Sequence, residues 1–170
     1  MKALTLISAT ALALGMISAA TAQDAPQRTV ITAAKMVDVV TGKVTEYPAI
    51  FVENGRITSI ADARTVRWGS DVEHIDLSGK TLLPGLIDMH VHLDSSPIYG
   101  GYNNLQFTDR FWSFVAASNA RAMLEAGFTT VRNVGSEGYN DVALKQAIGE
   151  GWAVGPRIVP AAHALGATGG

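Results

Sequence analysis

After Pro84-Gly85 the sequence alternates between short apolar strands and helices, and this alternation limits the fold more than any other feature of the chain. The pattern predicts a strand over 86–93, a helix over 108–126, a strand over 129–134, a helix over 139–150 and a strand over 157–162. Strands joined by helices of this length pair in parallel through right-handed crossovers. Because three such strands leave a bare sheet edge, we expect the beginning of a larger α/β fold, cut short after its third strand.

The preceding region is predicted to be a small all-β unit. Turn signals such as Asn54-Gly55 separate its short apolar runs, and Asn-Gly is the strongest short hairpin signal between two such runs. A unit of this size buries little surface alone, so we expect it to pack against another part of the protein. The predicted strands are 29–33, 37–40, 49–53, 56–61 and 74–77.

Residues 1–22 have the pattern of a signal peptide. Lys2 supplies the positive start, an apolar stretch follows over 3–20, and Ala20-Thr21-Ala22 fits the small-x-small cleavage site. The alternative is an uncleaved anchor helix, but the stretch is short for a bilayer span and polar residues interrupt it. We therefore expect an exported protein without stable membrane insertion, periplasmic if the source is a Gram-negative bacterium and otherwise secreted.

Composition restricts the partners and the metal ligands. The chain has 48% hydrophobic and 16% charged residues with a net charge of -2, which is typical of a globular protein and gives no basic excess for nucleic acid. We expect a small-molecule partner and no nucleic acid. The chain contains no cysteine, so any metal in this segment must be bound by nitrogen and oxygen atoms.

The strand over 86–93 carries polar residues on one face. Side chains alternate along a strand, so Asp88, His90 and His92 share a face, and burying them without partners would be costly. Two histidines at this spacing stand about 7 Å apart at their Cα atoms and can converge on one metal ion. The alternative is a pair of core histidines without a metal. The strand context favours metal ligation, with Asp88 as a supporting partner rather than a ligand.

These residues lie in segments that resemble the amidohydrolase superfamily. Segment 85–92 resembles its strand-one signature, and segment 163–170 is similar to the imidazolonepropionase-like and Xaa-Pro-dipeptidase-like branch. The remaining matches are 79–84, 126–135 and 155–158. The resemblance implies a (β/α)8 TIM-like barrel with a small β-sandwich built from both chain ends, so that 23–81 belongs to the sandwich and 82–170 forms the first three β/α units.

The resemblance also implies a site of one or two divalent metal ions, usually zinc, at the carboxyl ends of the barrel strands. His90 and His92 correspond to ligands of the more buried ion. The other ligands and a general-base aspartate are expected beyond Gly170, so no catalytic residue is assigned. Asn133 stands where many relatives carry aspartate, which we interpret as a tolerated loop difference.

The implied reaction is hydrolysis of a carbon-nitrogen bond in a small amide, dipeptide or cyclic amide by a metal-activated water. Two alternatives stay open: a catalytically incomplete fragment of the fold, and a lactonase, phosphotriesterase or deaminase on the same scaffold, because the fold alone does not separate these reactions. Formation of a homo-oligomer by the full-length protein also stays open.

Three residues are candidates for substrate binding. Tyr99 and Tyr102 lie in the long loop 94–107 after the first barrel strand, a usual position for pocket residues, and His163 follows the third strand. Aromatic loops also cap barrels without contacting ligands, and an ordinary loop histidine is the simpler interpretation of His163.

Overall fold

The structure, a computed structural model, describes residues 27–168. The predicted signal peptide lies outside the described residues. The described residues form two compact units, one of residues 27–34 and 46–80 and the other of residues 35–45 and 81–168. Across 27–168, every helix is too short or too polar to cross a membrane.

The first five strands of the chain form one sheet. Its strands run in the order β2-β1-β3-β4, with β5 also pairing with β1, and β3 is antiparallel to both β1 and β4. The predicted Asn54-Gly55 hairpin is confirmed, since both residues have positive φ (50° and 73°), as a two-residue turn between twisted strands requires. The strands are β1 (Arg28–Val37), β2 (Val44–Glu46), β3 (Pro48–Glu53), β4 (Arg56–Asp62) and β5 (Glu73–Leu82).

The prediction of a strand over 37–40 is wrong. Val37 ends β1, and the chain turns at Asp38, whose carboxylate accepts hydrogen bonds from the Val40 amide (2.9 Å) and the Thr41 hydroxyl (2.7 Å). An aspartate whose side chain accepts hydrogen bonds from the backbone amides that follow it stabilises a turn, which competes with the hydrogen bonding of a β-sheet. The same turn leads into β2, which periodicity missed because it is only three residues long.

The second unit contains the predicted parallel sheet. Its three strands lie in the order β6-β7-β8 with parallel pairing throughout, and two α-helices connect them. A core of buried residues fills the space between helices and sheet: Leu93, Ala116, Ala120, Val131, Leu144 and Ile158. The elements are β6 (Leu86–Val91), α1 (Phe111–Glu125), β7 (Phe128–Asn133), α2 (Asn140–Gly149) and β8 (Arg157–Val159).

Several predicted element ends differ from the observed ones, and strand β8, for example, ends at Val159 instead of residue 162. Helix α1 begins at Phe111, three residues later than expected, and the Phe111 amide donates a hydrogen bond to the Thr108 carbonyl oxygen at 2.9 Å. Strand β6 ends at Val91, two residues earlier than expected. Two short 3-10 helices, Pro97–Tyr99 and Gly101–Gln106, occupy much of the loop that follows β6.

Gly85 precedes β6 and is required by close packing. A Cβ atom at this position would overlap the side chain of Thr129 on β7. We expect Gly85→Ala to destabilise the full-length protein by about 1–3 kcal/mol, the usual cost of overpacking, measured as a lower urea midpoint.

Gly149 provides the matched control. It lies in α2, and a Cβ there would meet no heavy atom within 4 Å. Gly149→Ala should therefore raise stability by about 0.5–1 kcal/mol through its better helix propensity. Equal midpoints for Gly85→Ala and the unsubstituted protein would show that this contact is not tight.

Candidate metal centre

His90 and His92 lie at the carboxyl end of β6. His90 is within the strand and His92 directly follows it, which leaves both side chains exposed. Their ring centroids are 5.5 Å apart and the ring planes meet at 71°. The structure thus brings together the two imidazoles that the sequence predicted as a pair of ligands.

A hydrogen bond orients the His92 ring. Its Nδ1 lies 3.3 Å from the carbonyl oxygen of Gly135, which follows β7. Because a carbonyl oxygen only accepts, the bond places the proton on Nδ1 and leaves the lone pair on Nε2. Histidines that bind metals commonly donate their second ring nitrogen in this way.

The two imidazoles fit a divalent ion such as zinc, for which neutral imidazole is a usual ligand. Asp88 is half-buried, and its carboxylate accepts a hydrogen bond from the His90 backbone amide at 3.0 Å; its supporting role at a metal site stays a prediction. Within residues 27–168 there is no group of three or more histidine, aspartate or glutamate side chains placed to hold a metal. Further ligands stay a prediction for other parts of the protein.

A cavity of about 300 Å³ opens beside His92. Tyr99 contributes to its wall, together with the neighbouring Trp112, whose ring centroid is 6.4 Å from that of Tyr99. Tyr102 is 92% exposed and lies outside this lining, and His163 packs against the ring of Tyr139 at 4.5 Å. Of the three candidates for substrate binding, the structure places Tyr99 beside the histidine pair, and substrate contact stays a prediction for each.

Asp94 joins the loops that form this cavity. Its Oδ2 accepts hydrogen bonds from the Ser136 hydroxyl (2.7 Å), the Glu137 amide (3.1 Å) and the Asn140 side-chain amide (3.3 Å). The loop after β6 is therefore tied to the loop after β7. The sequence analysis did not identify this role, because the donors lie more than forty residues away along the chain.

Asn133 and Asp141 form a buried polar pair that the sequence analysis also missed. Both are fully buried, and the Asn133 Nδ2 donates to the Asp141 Oδ2 at 3.1 Å. The interpretation of Asn133 as a loop difference is wrong, because it is the last residue of β7 and its side chain bonds to three partners. Within the described residues, no buried side-chain nitrogen or oxygen lacks a hydrogen-bond partner.

Parallel β/α units with polar side chains at the carboxyl end of a strand are typical of the first part of a TIM-barrel fold. Residues 81–166 match the model of the Amidohydrolase family, and the chain belongs to that family. The predicted resemblance is thereby confirmed.

The chain is similar to individual relatives in structure and in sequence. It is similar to the crystal structure of a Xaa-Pro dipeptidase with bound methionine in the active site, with 32% identity and a TM-score of 0.75 over 84% of this chain and 35% of that one. An adenine deaminase of Moorella thermoacetica is 42% identical over 73 residues, 43% of this chain and 12% of that protein. An imidazolonepropionase of Thermoplasma volcanium is 28% identical over 100 residues, 57% of this chain and 22% of that protein. The chain thus spans about a third or less of the length of these relatives.

Proposed function

We propose that the full-length protein is a metal-dependent hydrolase that cleaves a carbon-nitrogen bond in a small amide, dipeptide or cyclic amide. The observation that carries the proposal is the His92 imidazole, tied through Nδ1 to the Gly135 carbonyl, set beside His90 and open to a cavity. Family membership supports it, as do relatives named as a dipeptidase, an imidazolonepropionase and adenine deaminases.

His90 and His92 would bind the divalent ion through ring nitrogens, and we propose zinc as that ion. When bound, such an ion lowers the pKa of a water molecule towards neutrality and polarises the scissile carbonyl group. The Nε2 of His92 stays available for the ion because the Nδ1 proton is donated to the Gly135 carbonyl oxygen. We propose that the remaining ligands and the general-base aspartate belong to later strands of a complete (β/α)8 barrel, with a β-sandwich built from both chain ends.

The proposal is tested on the purified full-length protein. We expect elemental mass spectrometry to find a close to stoichiometric amount of divalent metal in the protein. We also expect the protein to hydrolyse Xaa-Pro dipeptides or N-acyl amino acids. A chelator should abolish the hydrolysis and added zinc should restore it. Chelator-insensitive turnover, or failure with every amide in a metal-loaded sample, would contradict the proposal.

Deamination is the second candidate, favoured by the 42% identity to an adenine deaminase. Adenine should therefore be included in the substrate panel. Ammonia release from adenine, with the dipeptides left intact, would select this reaction over amide hydrolysis.

Tyr99 and Tyr102 are expected to differ in their effect on turnover. Tyr99 lines the cavity beside His92, whereas Tyr102 is 92% exposed and outside it. We expect Tyr99→Ala to lower kcat/KM about tenfold, equivalent to about 1.4 kcal/mol of lost transition-state stabilisation. Tyr102→Ala is the comparison on the same loop: because its ring lies outside the cavity, we expect kcat/KM to change less than twofold, and a larger loss would keep Tyr102 as a substrate-binding candidate.

Tyr99 also packs on Phe107, with ring centroids 4.9 Å apart, so the alanine variant removes packing as well. Tyr99→Phe keeps the ring and removes only the hydroxyl group. Loss in both variants would assign the effect to the hydroxyl, and loss in the alanine variant alone would assign it to the ring. Unchanged kcat/KM in both variants would remove Tyr99 from the substrate site.

We also propose that the protein is exported after cleavage between Ala22 and Gln23, since residues 1–22 have the pattern of a signal peptide. Amino-terminal sequencing of the mature protein should begin at Gln23. A mature protein that begins at Met1 would rule out cleavage.

A further inference from the structure

The Asn133 side chain joins three separate parts of the chain. Its Oδ1 accepts a hydrogen bond from the Leu93 amide at 2.8 Å, and its Nδ2 donates to the Gly135 carbonyl at 2.9 Å and to the Asp141 carboxylate at 3.1 Å. Leu93 directly follows the His92 ligand. A fully buried amide thus fixes both the segment that carries this ligand and the loop that faces it.

The Gly135 carbonyl oxygen is shared between Asn133 and His92. It accepts the Asn133 Nδ2 proton at 2.9 Å and lies 3.3 Å from the His92 Nδ1. A carbonyl oxygen has two lone pairs, so the two bonds are compatible. The buried Asn133 bond is the shorter one, and it holds the oxygen in the direction that meets the more exposed imidazole.

Asp141 holds Asn133 in its orientation. The Asp141 Oδ2 accepts bonds from the Ala161 amide (2.9 Å) and the Ala162 amide (3.1 Å) as well as from Asn133. The position of Asp141 therefore depends on the chain that follows β8. At 3.1 Å from a buried carboxylate, an asparagine donates a proton where an ionised aspartate would add a second negative charge.

We propose that Asn133 is a positioning residue, which acts through the Gly135 carbonyl to hold His92 in the tautomer that carries its proton on Nδ1 and keeps Nε2 free for a metal. This inference rests on the proposed metal site. It assigns the amide group of Asn133, rather than its size, as the feature that the site needs. Asn133→Asp preserves the size and the acceptor for the Leu93 amide but removes both donated bonds.

The tautomer of His92 is read directly by long-range ¹H-¹⁵N NMR of the metal-free, full-length protein labelled with ¹⁵N-histidine. The spectrum is recorded at about pH 8, where an ordinary imidazole is neutral, and the His92 signals are assigned by their loss in His92→Gln. We expect the Nδ1-H form to predominate with Asn133 present. In Asn133→Asp the Nε2-H form should gain at least a third of the population, and the Kd for zinc should rise about 10- to 100-fold.

Asn119→Ala is the matched control. The Asn119 Nδ2 donates to the Leu93 carbonyl (2.7 Å) and to the Ser95 carbonyl (3.0 Å), so this variant disturbs the same segment without removing a bond to Gly135. It should leave the tautomer of His92 unchanged. If Asn133→Asp does not fold, Asn133→Ala serves as the second variant, with the same expected shift.

The outcomes separate this inference from the proposed function. An unchanged Nδ1-H population in the Asn133 variants, or an equal shift in Asn119→Ala, would overturn the positioning role even in a protein that binds zinc. The opposite result is also possible: the unsubstituted protein binds no zinc, yet only the Asn133 variants shift the tautomer. That result would support the effect of Asn133 on His92 and overturn the proposed metal site.

Discussion

Replacing either His90 or His92 by alanine is expected to remove the bound metal from the full-length protein and to lower kcat/KM by more than about a hundredfold. Substituting the partners that orient a metal ligand typically costs 10- to 100-fold in affinity or activity, and removing the ligand itself should cost more. Each variant removes one of the two imidazoles, whose ring centroids are 5.5 Å apart. Metal content and kcat/KM are measured on the same preparation.

His74→Ala is the matched control for this experiment. His74 lies on β5, and its ring bonds to the Thr32 hydroxyl and packs against Trp68. Its loss should leave metal content unchanged and kcat/KM within about twofold. Full metal content in both His90→Ala and His92→Ala would contradict the assignment of the pair as ligands.

Replacing Asp141 by alanine is expected to cause the largest loss of stability in the described part of the chain. The side chain is fully buried, and its carboxylate accepts bonds from the Asn133 side chain and from the backbone amides of Val142, Ala161 and Ala162. Each buried donor left without a partner costs about 1–3 kcal/mol. Three of the four donors are only partly buried, so water can reach them and lower their cost. We therefore expect a total loss of about 3–5 kcal/mol in the free energy of unfolding, measured by urea denaturation.

Two further substitutions make the test specific. Asp141→Asn keeps an acceptor at nearly the same volume and should cost less than Asp141→Ala. Asp71→Ala removes an exposed carboxylate and should stay within about 0.5 kcal/mol. A loss below about 1 kcal/mol in Asp141→Ala would show that water replaces the missing carboxylate and that the strand ends do not depend on it.

The sequence predicted the elements whose signals are local. Alternating strand and helix patterns after Pro84 indicated the parallel sheet, and Asn54-Gly55 indicated the hairpin between β3 and β4. The strand over 37–40 failed because the side chain of Asp38 bonds to the backbone that follows it, which outweighs the apolar character of Val39 and Val40.

The sequence by itself determined the chemistry of the candidate site: two imidazoles two positions apart, no thiol, and a strand that brings both rings to one end of a sheet. Only the tertiary structure decided how His92 is oriented, because the carbonyl that fixes its tautomer lies 43 residues away. The same is true of Asn133, which meets the Leu93 amide across 40 residues and the Asp141 carboxylate in the next helix. Periodicity and spacing report which residues share a face of one element, whereas parallel pairing of β6, β7 and β8 decides which buried donors and acceptors meet.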